Sequence, residues 1–442
     1  MLHQTALHAT HQALGANLVD FGGWDMPLWY PTGAVKEHLA VIRAAGLFDI
    51  GHMAGLLLSG KDVFEALQWA FTKDLSLSGP RAAYGAFLDV NGGVTDDAIA
   101  YPLSEGRYFV VLNVGKGEKI AAQLQSWAEA NGKDLVIRNM QGAYAKLDLQ
   151  GPAAVRVFAK LLADPAAAYD GLTYFKFKGD IELEKSSVKL ADGTPIFLSR
   201  TGYTGEQGFE IFVPYDKALA VWNAILEAGK DEGVIPCGLA ARDSVRAGAM
   251  LPLSQQDIGP WPFVNNPWPF TLPKDAEGRW TKNFQGRDAL EAAVAAGTAP
   301  YTYAYCGYDP RKVTSPDHSV HPQVLLDGEV IGDVLTCVAD VSIGRVDGRI
   351  LSIASPDKPE GFAPKGLICG FIRVNRPLAM GTALQLADQR RKLKVEVVAD
   401  VRPARTARKK LGSLYLESCC FPVTGKSRKA QVAGRTAVPV GQ

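Results

Sequence analysis

No two of the six cysteines form a C-x-x-C pair, and the seven histidines keep no ligand spacing beside them. That pattern excludes the usual zinc frameworks and a disulfide scaffold. It leaves Cys237, Cys306, Cys337, Cys369, Cys419 and Cys420 as reduced thiols, as a cytoplasmic protein would keep them. Excess charge of one sign is missing too: 47 Lys+Arg stand against 46 Asp+Glu. No global field therefore recruits nucleic acid or an anionic membrane, and any anionic ligand needs a local cluster. No apolar run approaches the roughly 20 residues that span a bilayer. The N-terminus, MLHQTALHATHQALGA, has no basic region followed by an apolar block. A soluble, cytoplasmic chain without a secretory signal is expected, and no internal repeat at a fixed spacing suggests a solenoid.

What the sequence does contain is length and glycine. A chain of 442 residues exceeds one hydrophobic core, so two or three domains are expected. Its 45 glycines favour many turns and substantial strand content. Apolar spacing predicts helices over residues 3–15, 34–46 (with Gly46 as C-terminal cap), 61–71, 116–131, 153–163 and 216–233, and through LAARDSVRAGAML. LFDIGHMAGLLLSG, RYFVVLNV and AKLDLQGP read as strands, with further strands near 173–198. AAYGAFLDVNGGVTDDAIAYPL reads as two strands joined at Asn91-Gly92-Gly93. Residues 254–283 carry five prolines and three tryptophans, the composition of an extended connector at a domain boundary. From 300 to 402 short strands and turn signals alternate, which predicts a small barrel or sandwich. The tail beyond Leu411 is polar and without period, an extension.

Three segments carry chemistry. In Gly92-Gly93-Val94-Thr95-Asp96-Asp97 two adjacent acids follow a tight turn and point to opposite faces if the strand continues. One can meet solvent or cap the turn while the other enters a pocket, where desolvation makes it a proton acceptor; both can equally be turn residues. In the loop from Arg200 to Glu210 three glycines allow close approach of a flat ligand, Tyr203 offers a stacking face, and Glu206 and Glu210 stand at either end. The loop contains neither G-x-G-x-x-G nor G-K-[ST], so it is no nucleotide loop. Glu210 precedes Ile211-Phe212-Val213, and a carboxylate on such a strand can accept two parallel N–H bonds from an amidine-like edge; a surface hairpin with solvated acids is the alternative. Arg242 and Arg246 share one helix face and suit a carboxylate or polyglutamate tail, or an ordinary Asp–Arg network. His52 reads as a half-buried structural histidine rather than an acid–base catalyst.

VDFGGWDMP, AAGLFDIGHM, NGGVTDD, LQGP, SRTGYTGEQGFE, PCGLAARDSVR and NFQGRDAL together, in this order over residues 4–300, resemble the glycine cleavage T-protein (aminomethyltransferase) superfamily. The resemblance implies an α+β three-domain cloverleaf: two interleaved α/β domains with antiparallel sheets over 1–270, a connector over 271–299 and a C-terminal β-barrel over 300–410, followed by the 411–442 extension. It implies tetrahydrofolate in the central opening, with Asp97 as the essential carboxylate near the reacting nitrogens. It also implies Asn113, Tyr174, Tyr203, Glu210 and Arg242 as folate-binding residues, Glu210 gripping the amino-pyrimidinone edge. The implied activity moves an aminomethyl group from the lipoyl arm of a small carrier protein to tetrahydrofolate, giving 5,10-methylene-tetrahydrofolate and ammonia. Two alternatives share the fold. One is a tetrahydrofolate-dependent demethylase acting on a sulfonium, quaternary amine or aryl methyl ether. The other is a non-catalytic folate-binding iron–sulfur assembly factor, whose K-G-C-Y-x-G-Q-E motif is missing here. The sequence departs from the family pattern at Gly51, over LPLSQQDIGPWPFVNNPWPF and beyond residue 300, where donor contacts would be expected.

Overall fold

The computed structural model describes residues 1–314 and 321–411; the expected extension from 412 onward lies outside the described residues. Alternation along the strands distributes side chains between separate cores. In Ala54–Ser59 and Arg107–Leu112, Leu56, Leu58, Val110 and Leu112 pack under the helices Val63–Ala70 and Gly117–Ala130. Leu57, Phe109 and Val111 point the other way and meet Tyr144, Phe197 and Phe212 of a second sheet. That sheet repeats the device: Leu147, Leu149, Ile211 and Val213 turn toward the helices Ala154–Ala159 and Ala218–Gly229. The result is four layers, helix–sheet–sheet–helix, with an aromatic seam between the sheets. Strands buried on both faces read as nearly unbroken apolar runs, which is why LFDIGHMAGLLLSG looks like one strand.

It is two strands, in different sheets. Ala45–Asp49 belongs to a six-stranded sheet with Phe177–Lys178, Phe197–Ser199, Gly208–Pro214, Tyr144–Gln150 and Val234–Pro236. Ala54–Ser59 belongs to a five-stranded antiparallel sheet with Ala83–Leu88, Val94–Ser104, Arg107–Leu112 and Val136–Asn139. The chain thus crosses between sheets within one turn and returns only at Tyr144. A closed six-stranded barrel follows, ordered Tyr301–Gly307, Leu367–Val374, Glu329–Asp340, Gln323–Leu326, Ala383–Ala387 and Lys392–Val397. Its interior is filled by Val324, Ile331, Ile372, Leu386 and Val395. Its outer face (Ala304, Cys306, Cys369, Phe371) packs on Ile258, Phe263 and Trp268 of the Pro/Trp-rich segment, which also covers Ala86, Leu88 and Val94 of the glycine hairpin. That segment packs the barrel against the hairpin, and its Trp268 and Phe270 also line a cavity.

Several expected elements change. The first helix is only His8–Ala13, because His3 pairs with the hairpin Asn17–Phe21/Trp24–Trp29: its N–H donates to Gly23 O at 2.8 Å, and its carbonyl accepts from Asp25 N at 2.9 Å. Gly46 is not a cap. The helix Ala34–Arg43 ends at Ala44, and Gly46 lies in the next strand, where a Cβ would come within 2.7 Å of Cys237 Sγ and Val41. The helix expected over 153–163 stops at Ala159, and a short helix, Pro165–Tyr169, follows it. The strands expected near 173–198 shrink to Phe177–Lys178 and Phe197–Ser199. Among the described residues no helix is long and apolar enough to cross a membrane.

Candidate functional site

The two sheets, the Pro/Trp-rich segment and residues 408–410 enclose a cavity of about 1210 Å³. Asp97, Asn113, Tyr174, Tyr203, Glu210 and Arg242 all line it. Sequence order scatters these six over 146 positions (97 to 242); the sheets bring them to one space.

On one wall the strand Val94–Ser104 leaves the glycine hairpin with Asp97 on the face of Ile99 and Tyr101, toward the cavity, and Asp96 on the opposite face. Asp96 meets no solvent, contrary to one reading of the turn. It is fully buried and accepts bonds from Asn113 N and Nδ2, each at 2.9 Å, and from Ser254 Oγ at 3.0 Å. The Asn113 amide also reaches Asp97 Oδ1 at 2.9 Å, and Tyr84 Oη donates to Asp97 Oδ2 at 2.8 Å. Burial raises both carboxyls. Asp96, which also feels the negative charge of Asp97, is pushed up to about 7. Asp97 is raised by burial against the hydrogen bonds from Tyr84, Ser254 and Asn113. Burial and then Asp97 itself hold Tyr84 well above its ordinary value, so it stays a neutral donor.

The facing wall is ionic. Glu210 sits opposite Asp148 in the strand register, with Lys146 opposite Phe212. Lys146 Nζ lies 2.7 Å from Glu210 Oε1, Thr201 donates to Oε2, and Tyr101 Oη reaches Oε2 at 3.4 Å. Burial works to raise Glu210, but Lys146, Thr201 and Arg242 outweigh it and the carboxyl stays below its usual range. Arg242 bonds Asp148 Oδ2 at 2.9 Å and stacks 4.7 Å from the centre of the Tyr203 ring, while Tyr203 Oη donates to Pro252 O. One face of Tyr203 is therefore covered. Burial, opposed by Arg242, lifts Asp148 to about 7. Tyr174 lines the cavity under the Arg408 guanidinium, 5.5 Å from its ring centre.

His52 is 5% exposed, lies edge-on to Phe21 and lines the cavity with Nδ1 unpartnered. Burial, then Arg242, hold it neutral, down to about 3. It is more buried than expected. Arg246 does not join Arg242 as a free cation: it is fully buried against Asp257, Asp243 and Thr336. Glu206 turns away from the cavity to Thr406 and Arg402. Lys146, Asp148, Tyr84 and Ser254 escaped the sequence reading. Lys146 and Asp148 alternate with apolar Leu147 and Leu149, but a solvent-facing strand shows the same pattern. Tyr84 and Ser254 carry no local signal at all. Among the described residues no group of three or more His, Cys, Asp or Glu side chains could hold a metal ion.

A model of the GCVT N-terminal domain matches residues 7–261. An aminomethyltransferase of Streptomyces coelicolor is 36% identical over 348 residues, 78% of this chain and 87% of that protein. One from Desulfitobacterium hafniense is 39% identical over 301 residues, 67% of this chain and 76% of that protein. The crystal structure of the glycine cleavage system aminomethyltransferase T from Bartonella henselae superposes with a TM-score of 0.70 at 26% identity, covering 93% of this chain and 99% of that one.

Proposed function

The chain belongs to the glycine cleavage T-protein (aminomethyltransferase) family, and from that premise we propose that it moves an aminomethyl group to tetrahydrofolate, giving 5,10-methylene-tetrahydrofolate and ammonia. The observation that carries this reading is a pair of buried carboxylates on facing walls of the cavity: Asp97, held by Asn113 and Tyr84 and raised by burial, on one, and Glu210, paired with Lys146 and kept below its usual range, on the other. Two carboxyls whose surroundings push them apart divide proton transfer from ligand anchoring.

The residues present fit a folate. At about 1210 Å³ the cavity exceeds the roughly 300–1,000 Å³ of ordinary small-molecule sites, enough for a pterin with its long substituent. A carboxylate offers about four lone-pair positions, and three of Glu210's are taken, the weakest by Tyr101 at 3.4 Å. An incoming amino-pyrimidinone edge would use the free position on Oε1 and displace Tyr101 from Oε2. His52 Nδ1 adds an unpartnered polar atom in the wall. Tetrahydrofolate, when bound, supplies the nitrogens that take up the carbon.

The protein's own part is positional and electrostatic. Glu210, Arg242 and Tyr203 fix the flat end of the ligand, and Asn113 and Tyr84 aim Asp97. Asp97 Oδ accepts a proton in the transfer, a role its burial favours. The apolar wall of Leu251, Leu253, Trp268 and Phe270 keeps water out. In this reading residues 1–270 hold the folate, 271–299 connect, and the 300–410 barrel closes the cavity through Lys312 and Val338. The donor is delivered by a lipoyl carrier protein. The test incubates purified protein with tetrahydrofolate and an aminomethyl-loaded lipoyl carrier, then identifies the folate product by mass spectrometry. Methylene-folate with stoichiometric ammonia supports the reading; 5-methyl-folate formed from a sulfonium, quaternary amine or aryl methyl ether, with no reaction of the carrier, overturns it.

A further inference from the structure

The Pro/Trp-rich segment begins inside a stretch that departs from the family pattern, yet it reaches the acidic pair from behind. Ser254 Oγ donates to Asp96 Oδ1 at 3.0 Å, on the side away from the cavity, and its hydroxyl also favours the ionised form of Asp97. Gln255, held at φ 65°, clamps the same strand by donating to Val94 O and Thr95 O at 3.1 and 3.2 Å. Behind them Asp257 accepts from Leu253 N at 2.9 Å and is locked by Arg246 and by Thr336 of the barrel. The bracket therefore runs from the barrel to the aspartates. Leu251, Pro252 and Leu253, just ahead of Ser254, line the cavity itself.

We propose that Ser254 is a positioning residue for Asp97, acting through Asp96 and Asn113, so that the Pro/Trp-rich segment sets the acid–base state of the pair. The proposal rests on the reading of Asp97 as proton acceptor. The other groups that bond or face the pair are neutral: Asn113 from the strand beside it, Tyr84 from the hairpin, and Tyr203 from the glycine-rich loop, which burial keeps protonated. Among the described residues no Lys, Arg or His forms an ion pair with either carboxylate. The balance is thus set by neutral donors and by the mutual repulsion of two adjacent acids, and removing one donor must move it.

The sign follows from what each change removes. Ser254→Ala deletes a donor that favours the ionised forms, so the acid limb of the kcat–pH profile should move up by about one pH unit, with about tenfold loss below it. Asp96→Asn removes the group that the charge of Asp97 raises, so the higher of the two titrations of the pair should be lost. Ser254→Thr keeps the hydroxyl and should hold the limb at the wild-type position, and KM for tetrahydrofolate should stay constant in all three. A second readout needs no turnover: an infrared titration of the ligand-free protein should show a buried carboxyl near pH 7 that moves up in Ser254→Ala. An unmoved limb and an unmoved carboxyl band overturn the proposal. So does an equal loss of kcat at every pH, which is what a purely structural role gives. If the wild-type protein makes no methylene-folate, the functional reading fails, while the infrared arm still decides the role of Ser254.

Discussion

Asp97 and Lys146 test the two walls separately. Asp97→Asn keeps the shape and the bond to Asn113 but removes the proton acceptor. Turnover should fall by about 10²–10⁴-fold while calorimetric titration shows tetrahydrofolate binding largely retained. Full activity in that variant would remove Asp97 from the mechanism. Lys146 is 1% exposed and its ammonium neutralises a Glu210 that is itself 4% exposed. Lys146→Met therefore strands a buried carboxylate, and denaturant unfolding should show a loss of about 3–5 kcal/mol. Glu210 was legible in the sequence because it stands beside a glycine-rich turn and an apolar run. Lys146 was not, because its partner lies 64 positions away (146 to 210) and only strand pairing brings them together.

The glycine-rich loop and its neighbouring strand act as one element. A Cβ at Gly202 would sit 2.1 Å from Oε1 of Gln150. Gln150 cannot swing clear, since it is fully buried, donates to Thr201 O at 3.1 Å and accepts from Thr204 Oγ1 at 2.9 Å. Gly202→Ala should therefore displace the loop, costing about 1–3 kcal/mol and weakening tetrahydrofolate binding in the same variant. Unchanged affinity and melting temperature would show that the loop has room. The sequence reading saw the loop's permissiveness as space for a ligand. The contact that most restricts it is instead the strand Tyr144–Gln150, which no local pattern announces.

Across the whole molecule the barrel is tied to the α/β body by Asp340. It accepts from His38 Nε2 at 2.9 Å and from Arg402 Nη1 at 2.8 Å, all three buried. Burial alone would raise this carboxyl, but His38 and Arg402 hold it well below the carboxylate range. A depressed acid contributes its stability fully above its unfolded value of about 3.9 and loses it as pH falls through the folded one. Asp340→Asn should lower the melting temperature at pH 7, and the gap to wild type should close only in strong acid; a gap constant with pH would refute the assignment. Strand and helix types, the Asn91-Gly92-Gly93 hairpin, the strand-rich last third and the ordered motifs of the family were all determined by the sequence. Each is a short-range matter of turn chemistry or apolar period. Only the tertiary structure decided that 47–60 splits between two sheets, that Asp96 backs Asp97 instead of meeting water, that Arg246 is a buried brace, and that Ser254 reaches the acidic pair. Those outcomes depend on which surfaces cover which, and a buried partner from a distant strand or connector leaves no mark on the residues around it.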